Sequence, residues 1–229
     1  MAQRLLIFDL DGTLIDSRKD LAVAVNTVRE EYDLQPLAVA TVTSYVGNGS
    51  RQLMERAMQD CSGADIDEAT HRLGVAYRQH LLVHTHLYRG TEEALALVRG
   101  LGYRLAVVTN KTQRAAEVIV DGLGVGGFFS AVVGDDGAHA LKPEAEPLTR
   151  ALHQAGCERE GSWMIGDNYT DLVAGRRANV RRCYCRFGFG HARGEASDMQ
   201  VDSLADFADA LARRVRDARA VAASQPAGA

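Results

Sequence analysis

The sequence predicts an α/β protein: a doubly wound, Rossmann-like parallel sheet interrupted by an all-helical insertion. Three observations carry this. Short apolar runs at 4–9, 103–109, 130–134, 162–166 and 180–185 have the length and composition of buried strands. Helix-patterned segments separate most of them, the alternation that builds a parallel sheet with helices on its faces. Between 16 and 86 the alternation stops, no strand-like run occurs, and helical spacing takes over.

The elements follow in order. The first strand runs from Arg4 to Asp9. In the insertion Leu21, Val25 and Val28 fall at i, i+4 and i+7, and Leu53, Ala57 and Met58 make a second apolar stripe. An insertion into an exposed loop needs its two ends close together. Residues 16–86 are therefore expected to hang over the strand ends as a cap, on a core formed by 1–15 and 87–229. Thr91 is placed to cap a helix over 92–99, with Glu92 and Glu93 at the positive end of its dipole and Gly100 as its stop. Thr112 is placed to cap a helix reaching Asp121, which Gly122 and Gly124 close. After the fifth strand, Ser203 is placed before a last helix in which Leu204, Phe207, Ala208, Leu211 and Val215 keep helical spacing. The tail 221–229 has no large side chain beyond Val221 and is expected to be frayed or disordered.

Composition narrows the function. With 229 residues, 46% apolar and 24% charged, the chain has the make-up of an ordinary globular protein of one or two domains. A formal charge of −4 and the lack of a basic run interleaved with aromatics argue against a nucleic-acid partner. The apolar run Leu5-Leu6-Ile7-Phe8 stops at Asp9, too short for a signal peptide or a membrane span, so a cytoplasmic protein without a membrane partner is expected. Cys61, Cys157, Cys183 and Cys185 show no zinc-ligand spacing and are expected free, the last two as buried hydrophobes on one strand face. His84 and His86 lack a third ligand and are expected to be solvated. Gly122, Gly124, Gly126 and Gly127 follow a helix, so they are expected in turns and not in a dinucleotide loop.

The chemistry gathers at strand ends, where open α/β sheets bind their ligands. Asp9 closes the first strand and Asp11-Gly12 follows; Thr109-Asn110 closes the second; Lys142 follows the third, before Pro143; Gly166-Asp167 closes the fourth, with Asp171 four residues on. Buried carboxylates that repel one another need a cation or donors nearby. Acids, a lysine and a hydroxyl together suit phosphoryl transfer, in which Mg²⁺ takes carboxylate and substrate oxygens while lysine and hydroxyl hold the phosphoryl group.

Phe8-Asp9-Leu10-Asp11-Gly12-Thr13-Leu14, Val108-Thr109-Asn110-Lys111, Leu141-Lys142-Pro143 and Gly166-Asp167 with Asp171 resemble, in order and in strand context, the four motifs of the haloacid dehalogenase superfamily. That resemblance implies an aspartyl-phosphate mechanism with Asp9 as nucleophile and Asp11 as general acid and then base. It implies phosphate binding by Thr109 and Lys142, with Asn110 added to that set; Lys111 stays open between substrate contact and the end of the loop. It implies Mg²⁺ held by the Asp9 side chain, the Asp11 backbone carbonyl and Asp167, with Asp171 orienting that shell. The helical insertion resembles the superfamily's cap, which closes over substrate and carries specificity.

Gly47-Asn48-Gly49-Ser50-Arg51, Tyr88-Arg89-Gly90-Thr91-Glu92-Glu93 and Gly188-Phe189-Gly190 are similar to stretches of the phosphoglycolate phosphatases. The chain departs from that subgroup at Arg89, Ala145 and Asn179. The resemblance implies a small phosphorylated metabolite as partner, 2-phosphoglycolate first, with Gly49 and Arg51 as cap contacts. Other sugar, nucleotide or pyrophosphate phosphatases and a β-phosphoglucomutase-like isomerase stay open, as does the choice between monomer and homodimer.

Overall fold

The computed structural model describes residues 3–224. β1 (Arg4–Phe8) is followed by a two-residue β2 (Ile15–Asp16) and four helices: α1 (Arg18–Glu31), α2 (Val39–Ser44), α3 (Ser50–Ala57) and α4 (Ile66–His80). After β3 (His86–Leu87) the alternation resumes with α5 (Thr91–Gly100), β4 (Arg104–Thr112), α6 (Gln113–Gly122), β5 (Ala131–Asp135) and α7 (Glu146–Gln154). It ends with β6 (Glu158–Gly166), α8 (Tyr169–Arg177), β7 (Arg181–Cys185), β8 (Met199–Val201) and α9 (Leu204–Ser224).

Six parallel strands form the main sheet in the order β5-β4-β1-β6-β7-β8. β1 lies between β4 and β6, with Ile7 opposite Ala106 on one side and Met164 on the other. The chain winds outward from β1 in both directions, so a crevice opens beyond its carboxyl end. Asp9 is the first residue there.

Alternation along β1 feeds two cores. Leu6 and Phe8 face the layer of α5, α6 and α9, while Leu5 and Ile7 face α7 and α8. Burial on both faces explains why these strands read as unbroken apolar runs. Phe207 of α9 stands edge-on to Phe8 and Trp163, with ring centroids 6.3 and 5.9 Å apart.

The insertion is helical, as expected, and β2 and β3 close its base as an antiparallel pair, Ile15 opposite Leu87 and Asp16 opposite His86. The fully buried Asp20 of α1 fastens the returning chain. Its carboxylate accepts the N–H groups of His84 and Thr85 and the Thr85 hydroxyl, at 2.7–3.1 Å. Inside the cap the buried Arg29 pairs with Asp60 at 2.7 and 2.8 Å and donates to the backbone of Gln35 and Ala57. Both anchors are polar groups satisfied from distant parts of the chain.

Local details correct several expectations. Gly90, with φ +79°, takes the cap position of α5; Thr91 is its first residue, and its buried hydroxyl has no partner among the described residues. Gly100 stays inside that helix, while Gly102 supplies the left-handed backbone after it, φ +95°. Thr112 does occupy the cap position of α6 but makes no side-chain capping bond. β6 starts at Glu158, four residues before the expected 162, because its first three residues are exposed and charged. α9 continues through 221–224, where fraying was expected; 225–229 lie outside the described residues. The four cysteines are free, Cys183 and Cys185 are buried, and His84 and His86 are exposed. Asn179 has φ +56°, the left-handed conformation asparagine tolerates. Among the described residues no helix is long and apolar enough to cross a membrane.

Candidate active site

The site starts where β1 ends. Asp9 still donates its N–H to the Ile165 carbonyl at 2.9 Å, so the sheet fixes its backbone, and the chain turns at once. Gly12 makes the turn possible. Its φ is +86°, and a Cβ there would stand 2.0 Å from Asp167 Oδ2. Any side chain would push the two strand ends apart.

Lys142 lies at the centre of the acids. Its Nζ donates to Asp9 Oδ1, Asp171 Oδ1 and the Val108 carbonyl, each at 2.7 Å. All three protons therefore have acceptors. Burial alone would push this lysine down, but the carboxylates of Asp171 and Asp9 hold it above its ordinary value. Asp171 Oδ2 accepts the Asn168 N–H at 3.0 Å and completes the capping box that starts α8. Capping and contact with Lys142 coexist in one side chain.

Asp167 Oδ2 accepts the N–H groups of Phe189 and Gly190 at 2.9 and 2.7 Å. The close approach of that loop requires Gly188, where a Cβ would lie 2.3 Å from the Asp167 Cβ. Asp9, Asp167 and Asp171 each bring a carboxylate oxygen within 4.8 Å of the others. Burial pushes Asp9 up to about 7 despite Lys142. Burial, with the charges of Asp9 and Asp171, pushes Asp167 well above the carboxylate range. Three carboxylates face one ammonium, an excess of negative charge that a cation would relieve. An all-oxygen donor set suits a hard divalent ion such as Mg²⁺.

The Asp11 side chain turns away from this cluster. It accepts a hydrogen bond from Ser17 at the cap's base, and its Oδ2 is 3.2 Å from Lys111 Nζ. Lys111 also donates to the Tyr77 hydroxyl of α4 at 2.9 Å and lies 4.3 Å from the centre of that ring. Burial would lower Lys111, but Asp11 and Tyr77 keep it above its ordinary value. Alternation along β4 explains the set: Thr109 and Lys111 share one face and Asn110 the other. Thr109 and Asn110 are both buried. The Asn110 amide is engaged with the Lys142 loop, accepting from the Lys142 N–H at 2.9 Å and donating to its carbonyl at 2.7 Å and to the Gly47 carbonyl at 2.9 Å. These bonds make it a brace between core and cap, and it lines the cavity as well.

The cap contacts divide as well. Gly49 lines the cavity, whereas Arg51 is over half exposed and pairs with Asp67 and Glu55 on the cap surface. Arg51 is thus not brought to the site: two acids of its own domain hold it. Asn48 donates to the Tyr169 hydroxyl at 2.7 Å, so the glycine-rich cap stretch docks on the core. Between cap and core lies a cavity of about 550 Å³, with Asp9, Asp11, Thr109, Lys111 and Asp167 on its core side. Leu21, Leu53, Leu73, Tyr77 and Leu81 contribute apolar surface on the cap side, beside the polar Thr70, His71 and Arg78.

Lys111, open in the sequence between substrate contact and loop end, lines the site, and so do Tyr77, Ser17 and the Phe189 and Gly190 N–H groups, which no motif in the sequence assigns to it. The two-residue period of β4 could have found Lys111. Nothing local marks Tyr77, which reaches the site by tertiary packing of α4.

A parallel sheet that gathers acids and a buried lysine at its central switch point, beneath a helical insertion, is the architecture of a capped hydrolase on a Rossmann-like core. The haloacid dehalogenase-like hydrolase family model matches residues 6–185, and the chain belongs to that family. A phosphoglycolate phosphatase of Chromobacterium violaceum is 37% identical over 209 residues, covering 89% of this chain and 94% of that protein. One from Aquifex aeolicus is 32% identical, with coverage of 89% and 94%. The crystal structure of a predicted phosphoglycolate phosphatase from Haemophilus somnus 129pt superposes with a TM-score of 0.83 at 25% identity, covering 91% of this chain and 98% of that one.

Proposed function

We propose that the protein is a Mg²⁺-dependent phosphatase of small phosphate monoesters, with 2-phosphoglycolate as substrate and glycolate and phosphate as products. The observation that carries the reaction class is the arrangement of Asp9: a buried carboxylate at the switch point, held at 2.7 Å by Lys142 and facing the cavity. The relatives' names carry the choice of substrate.

In this reading an Asp9 oxygen attacks phosphorus, the bond from phosphorus to the ester oxygen breaks, and Asp11 gives that oxygen its proton. Water then attacks the aspartyl-phosphate, Asp11 takes its proton, and phosphate leaves with Asp9 restored. Thr109 and Lys142 hold the phosphoryl oxygens, Lys142 by exchanging one of its present acceptors for the substrate. Asp9, Asp167 and the Asp11 carbonyl would hold Mg²⁺, with Asp171 steadying that set through Lys142. When bound, the ion offsets the negative charge that gathers as an anionic ester meets a carboxylate nucleophile. Asn110 serves as a positioning residue. The division of labour is a catalytic core of 1–15 and 87–229 and a specificity cap of 16–86.

One observation favours a second reading. The cavity of about 550 Å³, with its mixed apolar and polar cap side, is far roomier than a two-carbon acid needs. A larger sugar or nucleotide monoester, or a phosphoglucomutase-like transfer, would use that space. Phosphate release from 2-phosphoglycolate, sugar phosphates, nucleotides and pyrophosphate, measured side by side with Mg²⁺, separates these readings. Interconversion of glucose 1- and 6-phosphates without phosphate release would replace the hydrolase reading with the mutase.

A further inference from the structure

We infer that Lys111 is the specificity residue for the acid end of the substrate: its ammonium recognises a carboxylate attached next to the ester carbon. The inference rests on 2-phosphoglycolate being the substrate class. It deepens that reading by assigning the group that tells an acid from a neutral alcohol.

The argument starts from the donors of Lys111. Its side chain is 6% exposed, and its ammonium carries three protons. One goes to the Tyr77 hydroxyl at 2.9 Å and a second faces Asp11 Oδ2 at the longer distance of 3.2 Å. The third has no acceptor among the described residues, and Lys111 lines the cavity. Lys142, by contrast, has all three protons taken by Asp9, Asp171 and Val108. Of the two buried lysines, Lys111 alone keeps a donor for something that enters.

Its place along β4 says what that something is. Thr109, the expected phosphoryl contact, and Lys111 are two residues apart on one strand face, a step of about 6.6 Å. A substrate that sets its phosphoryl group against Thr109 and its ester oxygen at Asp11 therefore sets its next atoms beside Lys111. A carboxylate there would be largely withdrawn from water and would face Asp11, so it is costly without a counter-charge. Tyr77 holds the ammonium from the cap, through its hydroxyl and through its ring. Cap and core together thus build the acid-binding position; Thr70, His71 and Arg78 also line the cap side, but Lys111 is the cation held beside Asp11.

The test is a ratio: kcat/KM for 2-phosphoglycolate divided by kcat/KM for 2-hydroxyethyl phosphate, its neutral counterpart with CH₂OH in place of the carboxylate. Any effect of Lys111 exerted through Asp11 changes both rates alike and cancels. Lys111→Met should lower the ratio about 100-fold, the scale of a lost charge-assisted contact in a buried site. Lys111→Arg should keep part of the preference, and Tyr77→Phe, which loosens the ammonium without removing it, should lower the ratio several-fold. If Lys111→Met does not fold by circular dichroism, the other two variants decide the matter. A ratio that stays at the wild-type value in the folded variants overturns the assignment and leaves the phosphoglycolate reading standing. A wild-type ratio below one overturns the phosphoglycolate reading, and the Lys111 assignment with it.

Discussion

Lys142 Nζ and Asp9 Oδ1 stand 2.7 Å apart with almost no solvent access, and Asp171 holds the same ammonium at 2.7 Å from another side. The lysine is therefore the protein's own counter-charge for its acids. A buried ion pair contributes little net stability, but breaking one is costly because the partner charge stays behind.

Lys142→Ala should accordingly lower kcat/KM by at least about 100-fold, the usual scale for losing a preorganised charge at a reacting group. It should also lower the melting temperature of the metal-free protein. Steady-state kinetics and thermal melts in a chelator check both. A variant with near wild-type turnover would remove Lys142 from the phosphoryl site.

The raised Asp9 gives a pH signature. In the metal-free protein it is pushed from 3.8 up to about 7 by burial, so the folded chain binds this proton more tightly than the unfolded chain does. That contribution stabilises at low pH and is lost as pH rises through about 7. Asp9→Asn removes the ionisation, so in a chelator the variant should gain on the wild type as pH rises from about 4 to about 7. Mg²⁺ should narrow or reverse the gap at the higher pH, since it rewards the charged carboxylate. Melting curves of both proteins at several pH values measure this; parallel curves would contradict the burial of a titrating Asp9.

Gly12→Ala tests the crowding beneath Asp167. The added Cβ would stand 2.0 Å from the Asp167 carboxylate, and the backbone there has φ +86°. Apparent Mg²⁺ affinity in activity titrations should fall at least ten-fold, on the order of the change seen when groups that orient a metal ligand are disturbed. Unchanged Mg²⁺ dependence in a folded variant would mean that Asp167 does not hold the metal.

Arg51→Ala separates sequence resemblance from geometry. Arg51 pairs with Asp67 and Glu55 and does not line the cavity. The substitution should leave kcat and KM within about two-fold and change stability by under about 1 kcal/mol, as expected of exposed pairs. A large rise in KM would restore Arg51 as a substrate contact reached by cap motion.

The sheet and the strand-end groups were legible because each rests on a short local signal. An apolar run gives a buried strand, and the polar residue that ends it marks the ligand edge. Asp9, Thr109, Lys142, Asp167 and Asp171 are thus set near one another by the sequence pattern alone. The cap helices were legible as stripes, but their contacts were not. Lys111 meets Tyr77 34 positions away, and Asn110 meets Gly47 63 positions away. Those pairings depend on how α4 and the 47–49 loop dock, which no periodicity encodes. β2 and β3 are two residues each, too short for a pattern, although they close the cap's base. Arg51 went the other way because Asp67, on a neighbouring helix, competes for it.

The central claim is that Asp9 attacks phosphorus. Rapid acid quenching of the enzyme during turnover of radiolabelled 2-phosphoglycolate, followed by peptide mapping, tests it most directly. The account predicts a phosphoryl label, released by alkali and by hydroxylamine, on the peptide containing Asp9, and neither label nor turnover in Asp9→Asn. Phosphate release at the normal rate by Asp9→Asn, or a label on another residue, would contradict it.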